Sequence, residues 1–207
     1  MGDTKVMWKK IMAAVFLVSL CLWGNAWDGI CKQRDVDSTK KSKEDTAMET
    51  QAADNIGKTF PEVTGESLAG NQVTIPDSAK GKVTLVVVAF LRENQGQLDS
   101  WLNPFVEKFG DNKGYMFYEV PMISTGYKFM KFIIDGGMRG GIPAFKHKHV
   151  VTMYGNVEKY ISALNLDPRN GYAFLLDKEG KIRWQGQGYA SKDDLNTLMR
   201  EAENLAE

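Results

Sequence analysis

The chain has 207 residues, of which 43% are hydrophobic and 25% charged, with 26 Lys+Arg balanced by 26 Asp+Glu. That length allows one globular domain plus extensions. The formal net charge of +0, with no Lys/Arg run interleaved with aromatics, excludes a broad electrostatic footprint for nucleic acid.

At the N-terminus Lys5, Lys9 and Lys10 precede an apolar run from Ile11 to Trp23. The run is short for a membrane span, which needs roughly 17–25 residues, and has the length of a signal-peptide core. Gly24-Asn25-Ala26 offers small residues at a cleavage site, while Trp23 and Trp27 suit an uncleaved anchor. Residues 1–26 are therefore read as a signal peptide or membrane anchor. The protein is expected to be exported, periplasmic or anchored facing the periplasm. Asp3 and the lack of arginine disfavour mitochondrial import, and with it the mitochondrial inner membrane. The cysteines are Cys21 and Cys31, so the rest of the chain has no thiol. If residues 1–26 are removed, Cys31 stands alone and no intrachain disulfide can form. Residues 27–55, rich in Lys, Glu, Asp, Ser, Thr and Gln, read as a disordered tether that cannot bury enough surface to offset its ordering entropy. The domain spans 56–207.

Within it, Val63 to Ile75 predicts a hairpin turning at Ala69-Gly70-Asn71. Lys82 to Leu91 is a continuous β-branched apolar run, the sign of a strand covered on both faces. Arg92 to Leu98 reads as a loop. Asp99 to Phe109 repeats Trp101, Leu102, Phe105, Val106 and Phe109 at helical spacing, with Pro104 inside. Met116 to Ser124 predicts a strand. Tyr127 to Met138 predicts a helix ended by glycines, with Phe129, Phe132 and Ile133 buried. Val150 to Tyr154 predicts a short strand and Val157 to Leu166 a helix. Gly171 to Asp177 and Lys181 to Gln187 pair around Lys178-Glu179-Gly180, and strand period puts Ile182, Trp184 and Gly186 on one face. The last helix opens at Ser191 with Asp194 three residues on, a capping box, and lines Leu195, Leu198, Met199, Ala202 and Leu205 along one face.

His147 and His149, two apart on a predicted strand, would share a face and could seed a metal site, but no further ligand is nearby. A basic surface cluster with Lys146 and Lys148 is the simpler reading. No metal and no small-molecule cofactor is expected.

Residues 57–90, GKTFPEVTGESLAGNQVTIPDSAKGKVTLVVVAF, resemble the opening of a peroxiredoxin-type or membrane-anchored thiol-reductase-type thioredoxin-like domain. The resemblance implies an α/β fold, a central mixed sheet flanked by helices. It also implies a redox cysteine soon after Phe90, a kinking proline in the next helix, met by Pro104, and a cis-proline before the strand at Tyr172. Here no cysteine follows Phe90: the dithiol positions fall on Gln95 and Leu98, or on Gly96 and Asp99. Gly171 takes the proline's place. Gly140-Gly141-Ile142-Pro143 competes for that role, but the basic stretch after it is unlike a buried strand.

Further blocks, Asp99-Ser100-Trp101, Glu119 to Ser124, Gly136 to Ile142, Tyr154 to Lys159 and Gly171 to Ala190, resemble the mitochondrial ATPase assembly factor called ATP-ten over most of residues 83–203. That implies a thioredoxin-like chaperone binding the membrane-embedded a subunit of the ATP synthase Fo sector. The export signal departs from mitochondrial import and points to a bacterial relative. The reading is thus a redox-inactive binding protein for a membrane or envelope client, not an enzyme, with Arg92, Glu93, Gln95, Gly171 and Tyr172 as candidate contacts at the former active-site edge. Capture could proceed by strand addition at a sheet edge. The alternative is a peroxiredoxin-like or thiol-reductase-like oxidoreductase using a non-standard site or borrowing Cys31.

Overall fold

The computed structural model describes residues 55–207. The expectations for a signal or anchor at 1–26 and a tether at 27–55 lie outside the described residues, except that Asn55 is buried and donates from Nδ2 to Leu164 O and Gln185 Oε1. Among the described residues no helix is long and apolar enough to cross a membrane.

The centre is β3, Val83–Ala89, buried at every position. Its β-branched run favours the pleated backbone, and its side chains alternate between two cores as a doubly covered strand requires. Leu85 and Val87 enter one core, Val86 and Val88 the other. β3 pairs in parallel with β4, Tyr115–Ser124, and antiparallel with β6, Tyr172–Leu176. β7, Ile182–Gln187, continues antiparallel beyond β6. On the other side β4 passes to β5, Val151–Gly155. The hairpin of β1, Val63–Ser67, and β2, Gln72–Ile75, closes the sheet through an antiparallel β1–β5 pair. The seven strands run β2-β1-β5-β4-β3-β6-β7. Pro121 falls where β4 leaves β3 for β5, so its missing N–H costs the ladder little.

One face of the sheet is covered by α1, Gln95–Phe109, and α4, Lys192–Ala206, through Trp101, Leu102, Phe105, Leu198 and Ala202. The other core takes Tyr160 and Leu164 from α3, Glu158–Leu164. α4 opens with the expected capping box: the Asp194 N–H donates to Ser191 Oγ and the Ser191 N–H to Asp194 Oδ2. α2, Lys131–Gly141, follows a 3-10 turn over Thr125–Met130.

Three expectations are corrected. The segment Arg92 to Leu98 is not a loop: a 3-10 turn over Arg92–Asn94 leads directly into α1 at Gln95, and Gly96 lies within the helix. The helix expected over Tyr127 to Met138 is a 3-10 turn followed by α2, which continues through the glycines to Gly141. Phe129, Phe132 and Ile133 are exposed at 84%, 87% and 67% rather than buried. The cause is that the inner face of α2 is taken by polar side chains, described below. Finally, Ile182 and Trp184 do not share a face. Leu175 pairs with Trp184 while Leu176 pairs with Ile182, so Arg183 is an extra residue in β7. This bulge reverses the alternation: Ile182 enters the core with Leu176, and Trp184 packs with Leu175 on the α1 side. Arg183 Nε donates to Asp177 Oδ2, which holds the bulged residue outward.

Trp184 meets Trp101 edge to face at 5.3 Å, and a Cβ on Gly186 would stand 2.4 Å from the Trp184 ring. Trp184→Ala is expected to cost about 2–3 kcal/mol, below the full value for a buried indole because Trp184 is only half-buried. Urea melts measure this; a loss below about 0.5 kcal/mol would contradict the packing.

Candidate functional site

The end of β3 delivers the chain through Phe90 and Leu91 to the N-terminus of α1. A helix start presents N–H groups with no intrahelical partner and a partial positive charge, the setting in which a thiolate is stabilised. Here the first turn holds Gln95, Gly96 and Gln97, and Leu98 is buried. Neither expected dithiol register carries a sulfur.

The space is filled by contacts of another kind. The Gly171 N–H donates to Gln97 Oε1 at 2.6 Å. A Cβ on Gly171 would lie 3.0 Å from Leu98 Cδ2, and a proline there would lack the donor. The Gly171 carbonyl accepts from the Gly188 N–H at 2.9 Å. Trp101 Nε1 donates to Gly188 O at 2.8 Å, and the Ala190 N–H donates to Ser100 Oγ at 2.9 Å. Tyr189 lies over Gly96, where any Cβ would come 2.9 Å from its hydroxyl. The first turns of α1 thus clasp both the turn before β6 and the loop after β7. Pro143, in the competing glycine-rich segment, only precedes a 3-10 turn over Ala144–Lys146.

Of the candidate contacts, Arg92, Glu93 and Gln95 are exposed side by side at this rim. Gly171 is buried with both backbone groups bonded inside the domain. Tyr172 is 0% exposed; its hydroxyl accepts from the Asp167 N–H at 2.7 Å, so its side chain belongs to the core.

Glu119 escaped the sequence reading, which took it as one residue of a strand. It is 3% exposed, under the start of α1, and accepts from Gln95 Nε2 at 3.1 Å. Burial raises its pKa above the ordinary value; the Gln95 bond works against this and the Asp99 carboxylate adds to it. The signal available in the sequence was a lone acid inside an apolar strand run. Asn94, also buried, leaves Nδ2 without a partner among the described residues.

His147 and His149 are not on a strand and do not share a face. His147 Nε2 is 2.9 Å from Ile142 O, whereas His149 stacks on Phe117 at 3.9 Å. Burial lowers the His149 pKa to about 4, helped by the Lys148 charge. Among the described residues no group of ligand-type side chains gathers for a metal.

A family model described as ATP10 protein matches residues 40–205. Among curated proteins none matches the chain. Solved structures do. The thioredoxin domain of a thiol-disulfide oxidoreductase from Bacteroides vulgatus is 22% identical with a TM-score of 0.51, covering 71% of this chain and 97% of that one. A candidate thiol:disulfide interchange protein DsbE from Chlorobium tepidum is 20% identical at a TM-score of 0.50, covering 73% and 98%. BsSco, a member of the Sco family of cytochrome c oxidase assembly proteins, is 10% identical at 0.51, covering 72% and 94%. At such identities the likeness shows the fold alone, and the fold is thioredoxin-like, as expected from residues 57–90.

The two perturbed groups predict opposite pH slopes. Glu119 binds its proton more tightly when folded, so its contribution to stability falls as pH rises from 4.5 through its raised pKa. His149 binds its proton less tightly when folded, so its contribution is complete above pH 6.5 and lost as pH falls toward about 4. Melting curves across pH, wild type minus Glu119→Gln and wild type minus His149→Gln, are expected to slope in those opposite directions. Parallel differences would contradict the assignment.

Proposed function

Since the chain belongs to the ATP10 protein family, we propose that it is an assembly factor without thiol chemistry that holds a membrane-protein client, an ATP synthase Fo subunit, during assembly. The observation that carries the reading is the clasp between Gln97 and Gly171 at the start of α1. Thiol exchange proceeds by thiolate attack on sulfur, and residues 55–207 contain no cysteine. In its place stands a hydrogen bond that locks the turn before β6 to the helix. The Gly171 backbone is consumed by this bond and by the Gly188 N–H, so the client is contacted by the side chains that remain outward: Arg92, Glu93 and Gln95. The same clasp makes strand addition at Gly171 the poorer mechanism. The basic-then-apolar N-terminus supports a location at the far side of an exporting membrane, where such a client is met.

The test is recovery of clients from detergent-solubilised membranes on the tagged full chain. An Fo subunit is expected in the eluate of the wild type. Arg92→Ala/Glu93→Ala is expected to melt within about 0.5 kcal/mol of wild type while losing most of that recovery. Full recovery by the double variant would remove the rim from the reading. Insulin reduction by the full chain is expected at the buffer rate; turnover that disappears in Cys31→Ser would replace the assembly factor with an oxidoreductase that borrows its tether cysteine.

A further inference from the structure

Helix α2 is amphipathic and mounted inside out. Beneath it, Lys131 Nζ donates to Asp135 Oδ2 at 2.7 Å and lies 3.3 Å from Glu66 Oε2. The Tyr154 hydroxyl donates to Asp135 Oδ1 at 2.8 Å, and Arg139 Nε donates to Leu68 O at 2.7 Å. Asp135 is 2% exposed. These bonds fix the helix by its polar face. The apolar face therefore points away from the domain, opposite to the usual arrangement of a surface helix.

That outer face holds Phe132 and Ile133, and the same segment adds Tyr127 and Phe129 before the helix and Phe145 after it, all exposed. Gly136, Gly137, Gly140 and Gly141 have open space where their Cβ atoms would be. Single exposed apolar residues are ordinary, but five large ones within one segment of 19 residues mark an interaction surface. The charges decide its kind. Between residues 125 and 148 Lys131 and Arg139 are held beneath the helix and Lys146 donates to Asn103 Oδ1, so the outward cations are the exposed Lys128 and Lys148, and the sole acid is Asp135, sequestered beneath the helix. Outwardly the segment is thus aromatic and cationic with no acid of its own. Aromatic side chains sit at the headgroup level of a bilayer, and cations beside them pair with anionic headgroups. At 11 residues α2 is too short to span a membrane, so it would lie in the interface plane.

We propose that the outer face of residues 125–145 docks the domain on the headgroup region of a bilayer containing anionic lipid. The docking does not depend on which client is held at the rim near Arg92. The glycines make it conditional: four in one short helix weaken it, and contact with lipid restores what the missing side chains leave unpacked.

Hydrogen–deuterium exchange of the full chain tests this. The N-terminal apolar run is present in every sample, so the readout is local exchange rather than bulk binding. Peptides covering 125–145 are expected to exchange at least about tenfold more slowly on vesicles of phosphatidylcholine with phosphatidylglycerol than on phosphatidylcholine alone. Phe132→Ser/Ile133→Ser is expected to abolish the slowing while peptides from β3 remain protected, since both replaced side chains are exposed. Three results would overturn the proposal: no slowing on the anionic vesicles, equal slowing on both vesicle types, or slowing that occurs only when solubilised membrane proteins are added, which would give the face to a protein partner.

Discussion

Everything in this domain is positioned by one strand that has no solvent side. β3 is buried at each of its positions, so both faces of the sheet must be covered and neither helix layer is optional. Its alternation sends Leu85 and Val87 to one core and Val86 and Val88 to the other, and the helices settle where those side chains are. Because α1 follows β3 directly, its N-terminus is carried to the end of the sheet, beside the turn before β6. The candidate site is a consequence of that adjacency.

At that place the thioredoxin-like architecture carries no cysteine. A helix start needs something to satisfy its surroundings whether or not it activates a thiol. Gln97 supplies an acceptor to the Gly171 N–H, Ser100 one to Ala190, and Trp101 a donor to Gly188. These bonds tie α1 to the turn before β6 and the loop after β7 and leave Arg92, Glu93 and Gln95 exposed at the rim. Glu119, underneath, is a carboxylate kept where charge is costly, and its link to Gln95 connects the buried layer to the rim.

The opposite economy governs α2. Its polar contacts face inward, and the exposed Phe132 and Ile133 gain nothing from the fold. Burying Asp135 beneath a helix is justified energetically by the two partners that meet it, Lys131 and Tyr154, and the same anchoring raises the Lys131 pKa through the Asp135 bond. A helix so mounted contributes little to the core, which is the usual condition of elements reserved for binding.

Sequence alone determined the parts that rest on local pattern. The β3 run, the β1–β2 turn, the final hairpin and the capping box of α4 each follow from periodicity or from a turn and cap chemistry that acts within a few residues, and the structure has them where expected. The lack of sulfur after Phe90 was equally plain. What local pattern could not decide was which way a face turns. A single extra residue at Arg183 separates Ile182 from Trp184, and no two-residue period announces a bulge. The apolar spacing of Phe129, Phe132 and Ile133 describes a stripe, but whether a stripe meets the core or the solvent depends on what lies beneath, and Glu66, Leu68 and Tyr154 come from parts of the chain distant in sequence. The histidines were separated in the same way, because a 3-10 turn replaced the strand that would have aligned them. Spacing sets the periodicity of a segment; only tertiary contacts, made between residues far apart in the chain, set its orientation.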